Sequence, residues 1–321
     1  MTVRPLVIDT DPGVDDAIAL LVAVASAEVE LRAVTTVFGN VSVAQATDNA
    51  LRILALAGSG DVPVAEGADR PLVHAQPHRA AHVHGSNGLG GVQLEPAQRV
   101  VEPTAAVRFL ADLLHNSPEP VTVCAVGPLT NIARLVAAEP AAAARIERLV
   151  VMGGAYGAGN VSPTAEFNSW SDPEAAHRVL RSGLPITMVG LDVTRSTAMD
   201  AAAVARIGAS GPVGSVAAAM LAHYLDFYVR VQGGTGVVIH DALAVLEAIT
   251  PGVLSTVERR VSVDCGHGPG RGTTLVDRRT GPGSSLDAPL VESAAPVQVA
   301  ESVDVARAMS EIENRLCSYG H

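Results

Sequence analysis

Leu6-Val7-Ile8-Asp9-Thr10-Asp11-Pro12-Gly13-Val14-Asp15-Asp16 joins a short apolar run to a cluster of four carboxylates within eight residues. The apolar run indicates a buried parallel strand. Pro12-Gly13 is typical of a turn, and residues 17–25 are predicted to form a well-buried helix after it. The acids therefore lie where the carboxyl end of a strand meets the amino end of a helix, which is the usual ligand-binding edge of an open α/β sheet.

The four acids of this cluster are close enough in sequence to repel one another, which raises the pKa of some members. A hard cation such as Ca²⁺ or Mg²⁺ would remove that penalty, and carboxylate oxygens are the ligands that such ions prefer. The alternative is that Asp15 and Asp16 only favour the first helical turn while Asp9 or Asp11 caps the helix. Capping accounts for one or two of the acids but not for the whole cluster.

The composition is that of a soluble globular chain with enough apolar residues for a large core: 321 residues, 48% hydrophobic and 17% charged. A net charge of −11 argues against a nucleic-acid partner. All of the positive charge is arginine, because the sequence contains no lysine. A Walker-A phosphate loop, a Schiff-base or pyridoxal phosphate lysine and a protein-kinase lysine are therefore excluded.

The cysteines are far apart in the sequence and form no CxxC pair, which argues against a disulfide framework or a cysteine zinc site. Residues 1–5 lead directly into the first predicted strand, so we expect no cleavable signal. No apolar run reaches the length that spans a membrane without a charge or a Gly/Pro break. We predict a cytoplasmic protein with no membrane partner.

Strand-like apolar runs alternate with Ala-rich helical runs along the chain. The predicted strands are residues 3–8, 31–37, 121–126, 149–152 and 186–189, and the predicted helices are residues 44–56, 104–115, 129–138 and 173–181. Later segments add helices at 201–207, 213–229 and 242–249 and strands at 257–263 and 273–276. This alternation predicts a Rossmann-like α/β fold, with an open, mostly parallel sheet flanked by helices and mixed at its edge. We predict a single domain over residues 1–321.

Long glycine-rich connections predict functional loops. We place active-site loops near residues 70–93 and 220–241, and a further loop over residues 153–172. The first loop carries four histidines, His74, His78, His82 and His84. A zinc site on His82 and His84 is a minor alternative, because no third ligand is evident nearby.

Polar residues follow several of the predicted strands: Asn40, Asn131, Asn160, Glu166 and Asn168. Since the carboxyl ends of parallel strands converge on one edge, we expect these side chains to share a pocket with the acidic cluster. Amides and carboxylates together suit a ligand with several hydroxyls, such as a sugar. Taken singly, each of them is also a common turn or cap residue.

Residues 9–16 and six later blocks of the sequence resemble the inosine–uridine nucleoside hydrolase family, whose members cleave the N-glycosidic bond of ribonucleosides with a bound Ca²⁺. The resemblance rests on DxDPGxDD at the start of the chain and on later matching blocks in order. The blocks are residues 9–16, 37–40, 126–131, 152–154, 166–168, 172–176 and 240–242. The match spans roughly residues 3 to 250.

The resemblance implies a role for each matching residue. The Ca²⁺ ligands would be Asp11, Asp16, Asp241 and the backbone carbonyl of Val126. Asp11 would also take the proton of the attacking water. The ribose-binding residues would be Asp15, Asn40, Met152, Asn160, Glu166 and Asn168. The implied role is nucleoside salvage by a homodimer or homotetramer acting on a small-molecule ribonucleoside.

The leaving base would be served by other residues. His240 resembles the family's leaving-group histidine, poised to titrate near neutral pH. His84, in a mobile loop, would close over the base, unless it is simply an exposed loop histidine. Tyr224 and Tyr228 would line the base pocket, with ordinary packing of a helix face as the alternative. The sequence leaves purine or pyrimidine preference open.

Two rival functions remain at this point. A phosphatase of the haloacid dehalogenase type also begins with strand-DxD, but it needs a later lysine and a threonine or valine where Gly13 stands. A calcium-dependent nucleoside- or sugar-binding protein without turnover is the second rival. The presence of all the family's acids together with His240 argues against it.

Overall fold

A central sheet runs through the computed structural model, which describes residues 3–74, 79–279 and 295–320. The strands are β1 (Arg4–Thr10), β2 (Val29–Thr36), β3 (Val64–Glu66), β4 (Val121–Ala125), β5 (Ile146–Met152), β6 (Ile186–Val189), β7 (Ala198–Met199), β8 (Val237–Val238), β9 (Leu254–Val263), β10 (Thr274–Val276) and β11 (Pro296–Val303). Within the described residues the main sheet has the order β10-β9-β11-β6-β5-β4-β1-β2-β3, and β7 pairs with β8 separately. The pairs from β3 to β11 are parallel, whereas β9 runs antiparallel to both β11 and β10. The predicted mostly parallel sheet, mixed at its edge, is confirmed.

Helices cover both faces of this sheet. They are α1 (Val14–Val24), α2 (Val43–Leu56), α3 (Ala81–His84), α4 (Ala106–Asn116), α5 (Thr130–Ala138), α6 (Pro140–Ala143), α7 (Phe167–Ser171), α8 (Pro173–Leu180), α9 (Leu191–Thr194), α10 (Ala201–Gly208), α11 (Pro212–Gln232), α12 (His240–Ile249) and α13 (Val305–Cys317). Helices α1, α2 and α10 to α13 pack on one face, and α4, α5, α6 and α8 on the other. No described helix has the length and apolar character needed to cross a membrane.

Strand β1 is buried on both faces, as its continuous apolar run predicts. Leu6 and Ile8 belong to the core on the α1 side, while Val7 belongs to the core on the α5 side. Successive side chains of a strand point to opposite faces, so a strand covered on both sides carries no polar alternation. The strand therefore delivers Asp9 and Asp11 to the carboxyl edge of the sheet from its centre.

The turn between β1 and α1 is closed by Asp16. Gly13 is the N-cap residue, and its N–H donates to Asp16 Oδ2 at 2.9 Å. Asp16 Oδ1 accepts the Thr10 hydroxyl at 2.5 Å. The alternative that Asp9 or Asp11 caps the helix is therefore wrong, because an acid inside the first turn makes the cap contact instead.

Several boundaries differ from the prediction. Strands β3 and β11 and helix α13 were not predicted. Helix α11 contains the predicted helix over 213–229 and extends to Gln232, so residues 220–232 are not part of the loop predicted near 220–241. Tyr224 and Tyr228 are buried on α11, four residues apart, so packing sustains the helix as far as Gly233, where φ is +68°. In the predicted loop over 70–93, residues 75–78, including His78, lie outside the described residues.

Candidate active site

A buried carboxylate cluster lies at the carboxyl edge of the sheet. One oxygen from each of Asp15, Asp16 and Asp241 lies within 4.8 Å of the other two. Asp241 reaches the cluster from the first turn of α12. Asp11 is not one of these three. The pKa of Asp241 is raised well above its usual range, mainly by burial, then by the charges of Asp15 and Asp16, and less by the charge of Asp11. The predicted ligand set contained Asp11 but not Asp15, so the geometry adds Asp15 as a candidate ligand.

The Asp11 side chain is enclosed by backbone. Its Oδ2 accepts the N–H of Asn40 at 2.6 Å. A Cβ at Gly39 would overlap Oδ2, and one at Gly127 would lie 2.7 Å from Oδ1. The Asp11 carboxylate therefore requires a glycine at both positions.

Like charges and burial make the cluster costly without a counterion. Burial, and then the charge of Asp16, raise the pKa of Asp11 well above its usual range and that of Asp15 to about 8. Asp11 Oδ1 and Asp15 Oδ1 are buried, and no described group donates a hydrogen bond to either. An all-oxygen donor set with unsatisfied carboxylate oxygens fits a hard divalent cation, which would supply the missing partner.

Asp9 faces away from the cluster. Its Oδ1 accepts the Thr35 hydroxyl at 2.5 Å and the Asn131 amide at 2.8 Å, and burial raises its pKa to about 6. Asn131 also donates to the carbonyl of Thr36 and accepts the N–H of Ala68. The expectation that Asn131 shares the ligand pocket is therefore wrong. Its amide instead ties β1, β2 and the segment after β3 together behind the site.

Glu166 organises the loop between β5 and α7. Its Oε2 accepts the N–H groups of Gly154 at 2.9 Å and Ser169 at 3.0 Å, and its Oε1 accepts that of Asn168 at 2.8 Å. It is thus the N-cap of α7, and burial raises its pKa. Asn160, which is exposed, accepts the N–H of Phe167 at 2.9 Å.

The amide of Asn168 links two strand ends. Its Nδ2 donates to the carbonyl of Val126 at 2.7 Å and to that of Met152 at 3.1 Å. Val126 directly follows β4, and Met152 is the last residue of β5. Since a carbonyl oxygen has two lone pairs, Val126 keeps one acceptor position for the predicted metal contact.

His84 is buried rather than exposed on a mobile loop. It ends the one-turn helix α3, and its Nδ1 accepts the N–H of Val14, the first residue of α1, at 3.2 Å. Its ring lies 5.2 Å from that of Tyr224. Burial lowers its pKa to about 3, so the imidazole is neutral. Among the described residues no metal-ligand cluster includes His82 or His84, so the zinc alternative gains no support.

His240 is fixed through both ring nitrogens. Nδ1 lies 2.7 Å from the Thr194 hydroxyl, and Nε2 lies 2.9 Å from the Tyr228 hydroxyl. Burial, and then the charge of Arg195, lower its pKa to about 3. The expectation that His240 titrates near neutral pH is therefore wrong, because desolvation disfavours the imidazolium.

These residues surround one cavity, with about 720 Å³ of empty space up to its open mouth. Every predicted substrate-binding residue lines it, and so do Val126, His240 and Asp241. Asp11 and Asp16 are buried and do not line it, and further groups, most of them aromatic or apolar, complete its wall. The lining residues that were not predicted are Ala80, His82, Val83, Val161, Phe167 and Phe227.

Two threonines that touch this machinery escaped the sequence analysis. Thr194 contacts His240 across 46 positions, and Thr274 contacts Ala155 across 119 positions. A threonine in an apolar segment carries no motif of its own. Only the tertiary packing brings these hydroxyls to the site.

Comparison with known proteins gives consistent matches. A family model described as inosine-uridine preferring nucleoside hydrolase matches residues 6–310. The chain is 41% identical over 275 residues to the pyrimidine-specific ribonucleoside hydrolase RihA of Citrobacter koseri, covering 85% of this chain and 88% of that protein. The solved purine-preferring ribonucleoside hydrolase from Gardnerella vaginalis matches with a TM-score of 0.90 and 33% identity, covering 99% of each chain. A solved plant nucleoside hydrolase matches with a TM-score of 0.94 and 32% identity, covering 99% of this chain and 100% of that one.

Proposed function

Because the chain belongs to the inosine-uridine preferring nucleoside hydrolase family, and is an enzyme that hydrolyses the N-glycosidic bond of ribonucleosides, we propose that it acts with a calcium ion in the cavity described above. One observation carries the calcium proposal. Asp15, Asp16 and Asp241 are buried together beside Asp11, and Asp11 Oδ1 and Asp15 Oδ1 have no hydrogen-bond donor within the described residues.

The residues that would hold the ion are Asp11, Asp16, Asp241 and the carbonyl of Val126, with Asp15 beside them. All of these donors are oxygens, which favours Ca²⁺ or Mg²⁺ over zinc or copper. Such an ion would supply Lewis-acid activation of a water molecule and would offset the charge of the cluster. The protein supplies everything else, namely the proton acceptor, the sugar contacts and the contacts to the base.

Asp11 is the proposed proton acceptor. Its Oδ2 is occupied by the N–H of Asn40, so rotation of the carboxylate is opposed, while Oδ1 is free to accept the proton of the attacking water. Attack at the anomeric carbon develops oxocarbenium character on the sugar, and the surrounding carboxylates stabilise that charge. Direct displacement by water inverts the configuration at that carbon.

The sugar side is proposed to act as a set of acceptors. The side-chain amide of Asn168 donates its two N–H groups to the carbonyls of Val126 and Met152, so only its Oδ1 remains available to a ligand. Asp15 Oδ1 is also an acceptor without a donor among the described residues. Ribose hydroxyls can donate to both, and a 2′-deoxy sugar would leave an acceptor unsatisfied, which favours ribonucleosides.

His240 and Tyr228 are proposed to serve the departing base. Their hydrogen bond of 2.9 Å joins them at the cavity wall, and Thr194 supports the other side of the imidazole. Because burial keeps the imidazole neutral, this pair presents a neutral hydrogen-bond donor to the base rather than an imidazolium. Tyr224 and His84 complete that wall.

We place the enzyme in nucleoside salvage in the cytoplasm. Release of free base and ribose fits such a role, and Cys124, Cys265 and Cys317 are all unpaired, which fits a reducing compartment. A homodimer or homotetramer remains a prediction from the family resemblance. Light scattering of the purified protein tests it directly.

The experiment that tests the function is a nucleoside panel assayed for ribose release, with and without a chelator. Purine and pyrimidine ribonucleosides, 2′-deoxynucleosides and p-nitrophenyl phosphate form the panel. We expect ribose from ribonucleosides, loss of the activity with chelator, recovery with Ca²⁺ and no phosphate release. Nucleoside binding without reducing sugar would instead identify a binding protein without turnover.

A further inference from the structure

Strands β9 and β10 form a hairpin that contacts the loop between β5 and α7. The Thr274 hydroxyl accepts the N–H of Ala155 at 2.8 Å and donates to the carbonyl of the same residue at 2.6 Å. Thr274 is buried, with 3% of its surface exposed. One side chain therefore satisfies both backbone groups of one loop residue, which fixes the loop in that place.

The preceding residue holds the far end of the same loop. Thr273 forms a β-bridge with Ala165, and its hydroxyl lies 2.6 Å from that of Thr164. Residues 155 and 164–165 are thus both tied to the start of β10. The loop is held at both ends by two consecutive threonines.

The hairpin is itself anchored to α8. Arg271 Nη2 contacts both carboxylate oxygens of Glu174 at 2.8 and 2.9 Å, and Nη1 donates to the carbonyl of Cys265. The Arg271 side chain is 11% exposed. A largely buried ion pair with these contacts makes the hairpin a firm support rather than a loose flap.

The loop leads directly to the sugar-binding groups. Gly154, next to Ala155, donates its N–H to Glu166 Oε2. Its φ is +79°, and a Cβ there would lie 2.9 Å from Thr274 Cγ2, so the close approach of Thr274 requires a glycine. Glu166 in turn accepts the N–H of Asn168. A continuous set of contacts therefore runs from the hairpin to the ribose side of the cavity.

We propose that Thr274 is a positioning residue for sugar binding, which fixes Ala155 and thereby the place of Glu166 and Asn168. The inference rests on the proposed function, because that function assigns Glu166 and Asn168 to ribose. Valine has nearly the shape of threonine but cannot bond to Ala155, so both backbone groups would lose their partner in a buried place. The loop would move to satisfy them, and a small displacement of substrate-positioning groups is costly.

The test compares Thr274→Val with Thr274→Ser in the full-length, calcium-loaded enzyme. For Thr274→Val we expect KM for the best ribonucleoside and the inhibition constant of free ribose both to rise about tenfold, with kcat changed less. Thr274→Ser keeps the hydroxyl and should stay within about twofold of wild type. The matched control is Thr256→Val on β9, where the hydroxyl contacts only Gln298 at 3.1 Å within the described residues.

The outcomes separate this inference from the proposed function. Absence of ribose release by the wild type would overturn the proposed function itself. An active wild type, with unchanged KM and ribose inhibition in Thr274→Val, would overturn the inference even if the melting temperature falls. If Thr274→Val does not fold, Glu174→Gln at the hairpin anchor takes its place. A rise of about twofold to threefold in KM then supports the inference, and no change overturns it.

Discussion

Asp11 is bound to Asn40 through one oxygen only: Oδ2 accepts the N–H of Asn40 at 2.6 Å, and Oδ1 has no donor within the described part of the chain. The contact joins the residue after β1 to the connection after β2. A carboxylate held in this way keeps one oxygen fixed and offers the other. That asymmetry suits a group that must accept a proton without turning.

Replacement of Asp11 by asparagine should abolish turnover and spare the fold. The side-chain oxygen can still accept the N–H of Asn40, but the amide cannot take a proton from water. We expect ribose release to fall by at least about 10³-fold, with a melting temperature close to that of wild type. Residual activity above about a tenth of wild type would contradict the assignment of Asp11 as the base.

Gly39→Ala should damage the site through sterics alone. The added methyl would overlap Asp11 Oδ2, so the carboxylate must move. We expect activity to fall by about 10²-fold and the free energy of unfolding by about 1–3 kcal/mol, measured by urea titration. Gly60→Ala is the control, because its nearest atom would be Ala55 Cα at an ordinary 3.5 Å. Full activity in Gly39→Ala would mean that the placement of Asp11 is not critical.

Calcium should stabilise the protein as well as support catalysis. Burial makes the pKa of Asp11, Asp15 and Asp241 higher than usual, so the metal-free cluster is under charge repulsion that a cation relieves. At a free calcium concentration about a hundredfold above Kd, the free energy of unfolding should rise by about 2.7 kcal/mol. Thermal melts with chelator, Ca²⁺ and Mg²⁺ measure this. Identical melting temperatures in protein proven metal-free and in calcium-loaded protein would contradict the site.

Asn131→Ala should lower stability more than most polar substitutions. The amide donates to Asp9 Oδ1 and to the carbonyl of Thr36, and it accepts the N–H of Ala68. All three of these residues are buried. We expect a loss of about 2–4 kcal/mol in chemical denaturation, since the partners remain buried without a bond. Asn314→Ala on α13 is the control and should cost under about 0.5 kcal/mol, because within the described part of the chain its amide bonds only to an exposed serine hydroxyl.

The two buried histidines predict a stability loss in acid. In the folded protein the pKa values of His84 and His240 are about 3, against about 6.5 in the unfolded chain. As the pH falls below about 6.5, the unfolded state takes up protons that the folded state does not, so folding weakens between about 6.5 and 3. From pH 7.5 to 5.5, calcium-loaded wild type should lose about 1.4 kcal/mol more than His84→Gln. Equal losses in urea titrations would mean that His84 is already charged in the fold.

The sequence predicted the centre of the fold better than its end. Strand β1 was predictable because a run buried on both faces is apolar at every position. Strand β11 reads PVQVAESV, and its place between β6 and β9 is set by long-range pairing that no local pattern encodes. Helix α13 was missed although Ala308, Ile312 and Leu316 recur every four residues, so the signal was present there.

In the site, the charged residues were easier to predict than the residues that hydrogen-bond to the site from outside it. Asp15, Asp16 and Asp241 belong to sequence blocks that resemble those of a known family, and the fold brings these three carboxylates close together. The neutral state of His240 could not be read from its block, because burial and the charge of Arg195 arise only in the fold. Thr194 and Thr274 carry no local pattern that distinguishes them from core threonines.

The Asn168 amide bonds at once to the carbonyls of Val126 and Met152, one on the proposed metal side and one on the proposed sugar side. A movement of this amide would therefore change the binding of both the metal ion and the sugar. Linkage makes such an effect reciprocal, so nucleoside and calcium should each change the other's binding by the same factor. The affinity of the enzyme for its ion would then differ between turnover and the idle state.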